Sequence, residues 1–142
     1  MTGTQRHRLA VPATALGIAL LAGCADLCGN EKLAEYPSPD RKWKVVVFQR
    51  DCGATTGFST QAALVPIDGD WPNRSGNIFT SDTDHGAAPS GPGGGPELGV
   101  RWEGPTDLVL THHPKARVWA ADGKAGVRIR LQKEVGGGMT TR

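Results

Sequence analysis

Twenty glycines and ten prolines are spread through 142 residues, and that load excludes a helical bundle or a coiled coil. Proline lacks the backbone donor a helix interior needs, and glycine there costs about 1 kcal/mol relative to alanine. Past the N-terminus, no window longer than the single turn Glu31 to Glu35 keeps a helical period. Yet 38% of the chain is hydrophobic, too much for a fully disordered polymer. The length suits one compact domain. What remains is a fold of short strands punctuated by turns.

Ser38-Pro39-Asp40-Arg41 places proline at the second position of a turn. The run Trp43 to Arg50 follows. It is rich in β-branched and aromatic residues and apolar on both faces toward its middle, so it reads as a central strand buried on both sides. Phe58 to Val65 predicts a second strand, closed by Pro66 and Asp68-Gly69, and Asn77 to Thr80 a short third. Leu98, Val100 and Trp102 alternate with Gly99, Arg101 and Glu103. The turn Gly104 to Asp107 then leads into Leu108 to His112, which predicts a hairpin with one apolar face per strand. Arg117 to Ala120 and Val127 to Leu131 read as another pair around Asp122-Gly123. The expected class is all-β: a small antiparallel β-sandwich or open barrel of six to seven short strands. Residues 38–132 would form this domain, with a long exposed Gly/Pro-rich loop at 81–97. Residues 24–37 read as a tether and 133–142 as a flexible tail.

Arg6, His7 and Arg8 precede an apolar run from Leu9 to Leu21. That run has the length of a signal-peptide core and falls short of the roughly 20 residues a bilayer span requires. It ends in Leu21-Ala22-Gly23-Cys24, which resembles the lipobox of bacterial lipoproteins at all four positions. The resemblance implies a signal peptide at 1–23, cleavage before Cys24, and diacylglycerol on the Cys24 thiol, often with a further acyl chain on the new amine. Two or three acyl chains anchor durably, whereas one binds only marginally. Loss of Arg6 and Arg8 leaves the exported part formally neutral, with no basic block for nucleic acid or an anionic surface. Ala25 follows Cys24, and Asp26 comes one place later than an inner-membrane retention aspartate would, so the outer membrane is favoured in a diderm host.

With Cys24 committed to lipid, Cys28 and Cys52 remain. Two thiols in an oxidising compartment are expected to pair. The loop so closed, about 25 residues, corresponds to roughly 3–4 kcal/mol in the chain-entropy model. A bridge would also require the segment after Cys28 to run back alongside the strand Trp43 to Arg50, which is about 26 Å long. Zinc is the rival reading, with His85, His112 or His113 as further ligands, although the two cysteines lack a CxxC spacing.

Ser38-Pro39-Asp40-Arg41-Lys42, Arg50-Asp51-Cys52-Gly53-Ala54-Thr55-Thr56-Gly57-Phe58-Ser59-Thr60 and the later block Val100 to Leu110 resemble a family of small bacterial proteins. That family carries an SPDGK-type turn and an RDCGATTGFST-type segment. Arg41 stands where glycine is common, which suggests a turn that need not be left-handed. The resemblance carries over no catalytic role.

The 51–60 segment is the most unusual polar stretch. Asp51, Thr55, Thr56, Ser59 and Thr60, together with Trp71 in a polar loop, are the candidate ligand-binding residues. A hydrolase would use Ser59 or Thr60 as nucleophile with Asp51 and a distant histidine, but Gly57 to Gln61 is not a nucleophile elbow. A disulfide-pinned connection whose hydroxyls satisfy turn backbone is the plainer reading. Gly91 to Gly95 lacks the Gly-Lys-Ser/Thr ending of a phosphate loop and reads as flexible. His112 and His113, adjacent on a strand, point to opposite faces. Trp43 and Trp102 fall in apolar strand patterns and belong to the core; Trp71 is the tryptophan expected to be exposed.

The chain is therefore expected to be a lipid-anchored envelope protein, a non-catalytic binding or structural module. Its partners would be the membrane, through the lipid on Cys24, and an envelope protein. An envelope hydrolase using a hydroxyl in 51–60, or an inhibitor of a secreted hydrolase, is the alternative. No cofactor, metal or nucleic acid is expected.

Overall fold

The computed structural model describes residue 1, residues 27–53 and residues 55–134. The expectations placed on the leader, on Cys24 and on residues 135–142 of the tail lie outside them. Nine strands occur among the described residues: β1 (Gly29–Pro37), β2 (Trp43–Asp51), β3 (Phe58–Pro66), β4 (Phe79–Asp82), β5 (Leu98–Gly104), β6 (Asp107–His112), β7 (Arg117–Ala120), β8 (Gly123–Lys124) and β9 (Val127–Lys133). One sheet has the order β1-β2-β3-β4-β7 and the other β5-β6-β9-β8. The first is antiparallel throughout, whereas the second contains the parallel pair β6–β9. The fold is all-β and sandwich-like.

β2 explains why two layers exist. Successive side chains on a strand alternate faces, and Val45 and Val47 enter the core between the sheets with Ala62, Leu64 and Phe79 from the first sheet and Leu108, Leu110 and Ile129 from the second. Val46 and Phe48 point the other way and form a second cluster with Ala63 and Val65, over which Trp71 packs. Each fully buried side chain of this size contributes roughly 1.5–3 kcal/mol. The predicted two-sided burial of this strand is what the structure shows. The β5–β6 hairpin also forms as expected, pairing Leu98 with His112 and Trp102 with Leu108. Trp102 Nε1 donates to Tyr36 O at 3.0 Å, tying the second sheet to the end of β1.

Several elements differ from expectation. Residues 29–37 are not tether but the edge strand β1, paired along the length of β2 with a shift between Lys32 and Ala34. Its sequence is charged and lacks a clean apolar face because an edge strand is held by its backbone ladder, and charges there suppress further pairing. This strand and the two-residue β8 raise the strand count above the expected six to seven. Arg117–Ala120 and Val127–Lys133 are not a hairpin. β7 closes the free edge of β4 in the first sheet, pairing Ala120 with Phe79, and β9 lies parallel to β6 in the second. The local turn sits instead at Ala125-Gly126, where φ values of 51° and 81° suit the two-residue turn between β8 and β9. Burial outweighs turn chemistry here, since Ile78 and Phe79 at the start of β4 are fully buried and β7 pairs with that strand.

The glycine-rich loop is also packed rather than exposed. Gly93, Gly95 and Pro96 are buried, and a Cβ on Gly95 would stand 2.5 Å from Thr60 Oγ1 and 2.6 Å from Thr60 N. Only a residue without a side chain lets this backbone approach so closely. The turn 38–42 is left-handed at Arg41, with φ 55°, against the sequence expectation. Ser38 organises it: its carbonyl accepts from Arg41 N at 2.9 Å, its hydroxyl donates to Asp40 Oδ1 at 2.8 Å and accepts from Trp43 N at 3.0 Å. That donated hydrogen bond holds the Asp40 carboxyl below the ordinary aspartate range.

Cys28 and Cys52 are bonded, with S–S 2.05 Å. They lie just outside the terminal ladder pair Gly29–Asp51, Cys28 before Gly29 and Cys52 after Asp51, so the bridge closes the open end of the β1–β2 pair. Both sulfurs are engaged, and the zinc reading of this pair falls.

Two outcomes are expected. Arg41→Gly relieves a left-handed L-residue and should stabilise the domain by about 0.5–1 kcal/mol in urea unfolding. Reduction of Cys28–Cys52 should cost about 2–5 kcal/mol, read as a lower urea midpoint on adding reductant.

Candidate functional site

The polar segment and the disulfide meet at one end of the first sheet. Asp51 Oδ1 accepts from Gly53 N at 2.8 Å, and Thr56 Oγ1 donates to Gly53 O at 3.1 Å. Both side chains thus serve the turn that carries the chain from β2 to β3. Ser59 Oγ donates to Arg50 O at 3.3 Å and accepts from Gln61 Nε2 at 2.9 Å. Gln61 Oε1 in turn accepts from Gly76 N at 2.7 Å. Thr60 is buried on the opposite face, against Gly95. Thr55 is exposed on the turn. These residues do not converge on one pocket.

A polar network fastens the 67–77 loop across this end. Arg50, nearly buried, donates from Nη1 to Asn30 Oδ1 at 2.7 Å and lies 3.5 Å from Asn73 Oδ1. Asn73 Nδ2 donates to Cys28 O at 2.6 Å, and Asn30 Nδ2 to Arg74 O at 2.7 Å. Trp71 Nε1 donates to the same carbonyl at 3.2 Å, and the Arg74 guanidinium lies 4.4 Å from the Trp71 ring centroid. Charge-assisted hydrogen bonds of this kind are worth more than neutral ones. Trp71 is therefore not the freely exposed loop aromatic that the sequence suggested. It is half-buried, its ring 6.4 Å from that of Phe48, because Val46 and Phe48 need a cover.

Beside Trp71 opens a cleft of about 220 Å³, with Phe48 and Val46 at its base and Asn30, Lys32, Glu35 and Asp70 around it. Lys32 Nζ and Glu35 Oε1 stand 3.2 Å apart, and Lys44 reaches the same oxygen at 3.5 Å. The hydrogen bond from Lys32 holds the Glu35 carboxyl below its ordinary range against the opposing push of burial, with Lys44 adding to the effect. A second, more apolar cleft of about 270 Å³ separates β1 from the glycine-rich loop, lined by Leu33, Tyr36, Thr60, Pro96 and Leu98 among others. Of the residues singled out in the sequence, Trp71 borders the first cleft and Thr60 the second. Asn30, Lys32, Glu35 and Asp70 were missed, since charged residues on a stretch read as tether or loop carry no signal until β1 is paired.

His112 is buried in the core with its ring 6.3 Å from that of Phe79, whereas His113 Nδ1 accepts from Lys115 N at 3.2 Å beyond the strand. Among the described residues no three His, Cys, Asp or Glu side chains gather as a metal site, and no helix is long and apolar enough to cross a membrane. No family model, curated protein or solved structure matches the chain.

Trp71→Ala uncovers Phe48 and removes the indole anchor of the loop. It should destabilise the domain by about 1–3 kcal/mol, below the range for a fully buried tryptophan, measured as a lower urea midpoint.

Proposed function

We propose that this protein is a lipid-anchored protein of the bacterial cell envelope whose β-sandwich acts as a non-catalytic binding or structural module. The observation that carries the reading is Leu21-Ala22-Gly23-Cys24 at the end of an apolar run with a basic start. Thioether acylation of Cys24 with cleavage before it would place a folded domain at a membrane surface, the outer one in a diderm host. A cross-strand disulfide at Cys28–Cys52 suits such an oxidising compartment. The family resemblance in the 50–60 segment belongs to the same reading. Its conspicuous hydroxyls serve turns, the glutamine beside them and packing, which favours a structural use of this segment over a nucleophile. The cleft bordered by Trp71, with an apolar base and an ion pair at its rim, supplies the kind of mixed surface on which an envelope partner or small ligand docks.

Mass spectrometry of the N-terminal peptide should show diacylglycerol on Cys24. Cys24→Ser should move the protein from the membrane fraction to the soluble one. A soluble, unacylated wild-type protein would overturn the anchor.

A further inference from the structure

We infer that the β1–β2–β3 side of the end carrying the Cys28–Cys52 bridge rests against the lipid bilayer, with Phe58 and Leu27 entering its interfacial layer. The inference rests on the proposed acylation of Cys24 and adds an orientation to it.

Three residues separate Cys24 from Cys28. Even fully extended, they let the acylated residue stray only about 14 Å from Cys28. The strand pairing does not slacken this tether, because Cys28 is covalently held to Cys52 and its carbonyl accepts from Asn73 Nδ2. β1 therefore cannot peel away from its first residue without breaking a covalent bond. The opposite end of β2, at Trp43, is roughly 26 Å further along the strand axis. The bridge thus decides which end of the domain is near the membrane.

On the β1–β2–β3 side the two ends differ in chemistry in the direction this orientation needs, while Asp82 and Arg117, which β4 and β7 bring to the anchored end, pair with each other. Residues 52–58 contain no charged side chain, and neither do Leu27, Cys28 and Gly29. Leu27 is 88% exposed and Phe58 45% exposed, although both are the kind of side chain that gains from leaving water. Thr55 and Thr56 are exposed beside them, and hydroxyls tolerate the headgroup region. Asp51, the nearest acid on β2, has its Oδ1 engaged by Gly53 N. At the far end, the turn 38–42 presents Asp40, Arg41 and Lys42 to solvent. An uncharged turn with an exposed aromatic beside the anchor, and a charged turn at the other end of β2, is the asymmetry of a bilayer contact along the β1–β2–β3 side of this end.

The test uses the full acylated chain in vesicles whose acyl chains carry bromine, a contact quencher of indole. Thr55→Trp places a reporter on an exposed residue of the proximal turn, and Phe58→Trp a second at the proposed insertion point. Lys42→Trp reports the far end. Wild-type emission is subtracted from each. Flotation with the vesicles is scored first. The expected result is a loss of emission from T55W and F58W on moving from ordinary to brominated lipid that K42W does not share. Because T55W alters only an exposed side chain, it keeps the test decisive if F58W disturbs the packing of Phe58 against Gly94. Equal quenching of T55W and K42W, or none at T55W, in protein that floats would overturn the orientation while leaving the anchor intact. Protein that fails to float would overturn the anchor itself and this orientation with it.

Discussion

Burying both faces of β2 demands two covers, and the domain is built to supply them. Val45 and Val47 face the second sheet, whose Leu108, Leu110 and Ile129 complete a core of ordinary sandwich type. Val46 and Phe48 face outward, where no third sheet exists among the described residues. A loop does that work instead, with Trp71 laid over the cluster and fixed by Arg50, Asn30 and Asn73. The polar network beside the disulfide is thus the fastening of an apolar lid. Removing water from Val46 and Phe48 is worth a few kcal/mol, comparable with what a handful of hydrogen bonds contributes net. The two terms reinforce each other, since each holds the loop where the other acts.

Close approach is the second organising constraint. The chain passes between the sheets after β4, after β6 and after β7, and such crossings bring backbone against backbone. Gly95, on the connection from β4 to β5, shows it: a Cβ there would lie 2.5 Å from Thr60 Oγ1. Gly76, between β3 and β4 of the first sheet, is equally confined, with Ala62 O 2.6 Å and Phe79 O 2.7 Å from where a Cβ would stand. Glycine at these places is used for its absent side chain and not for flexibility.

The proposed anchor on Cys24, a few residues before a covalently closed strand pair, would have a mechanical consequence. A long flexible linker would let the domain sample all orientations, whereas a bridge just before the first strand would pass the constraint of such an anchor directly to the sheet. The cleft bordered by Trp71 lies along β1 and β2 above that end, so the same closure that stabilises the fold would also set how the cleft is presented.

The all-β class, the doubly buried β2, the β5–β6 hairpin and the pairing of Cys28 with Cys52 were legible in the chain, because each depends on local periodicity, turn residues or the small number of thiols. The bridge even required residues 29–37 to lie beside β2, although their composition read as tether. What only the tertiary structure decided was partnership: β7 with β4, β9 parallel to β6, the glycine loop against Thr60 and Trp71 over Phe48. The left-handed Arg41 belongs here as well, its φ set by a hydrogen-bonded turn that the side chain does not favour. The physical reason is common to all of these. Periodicity tells a strand which face is apolar, but which distant surface covers that face is settled by burial summed over the whole chain, and no local pattern contains that sum.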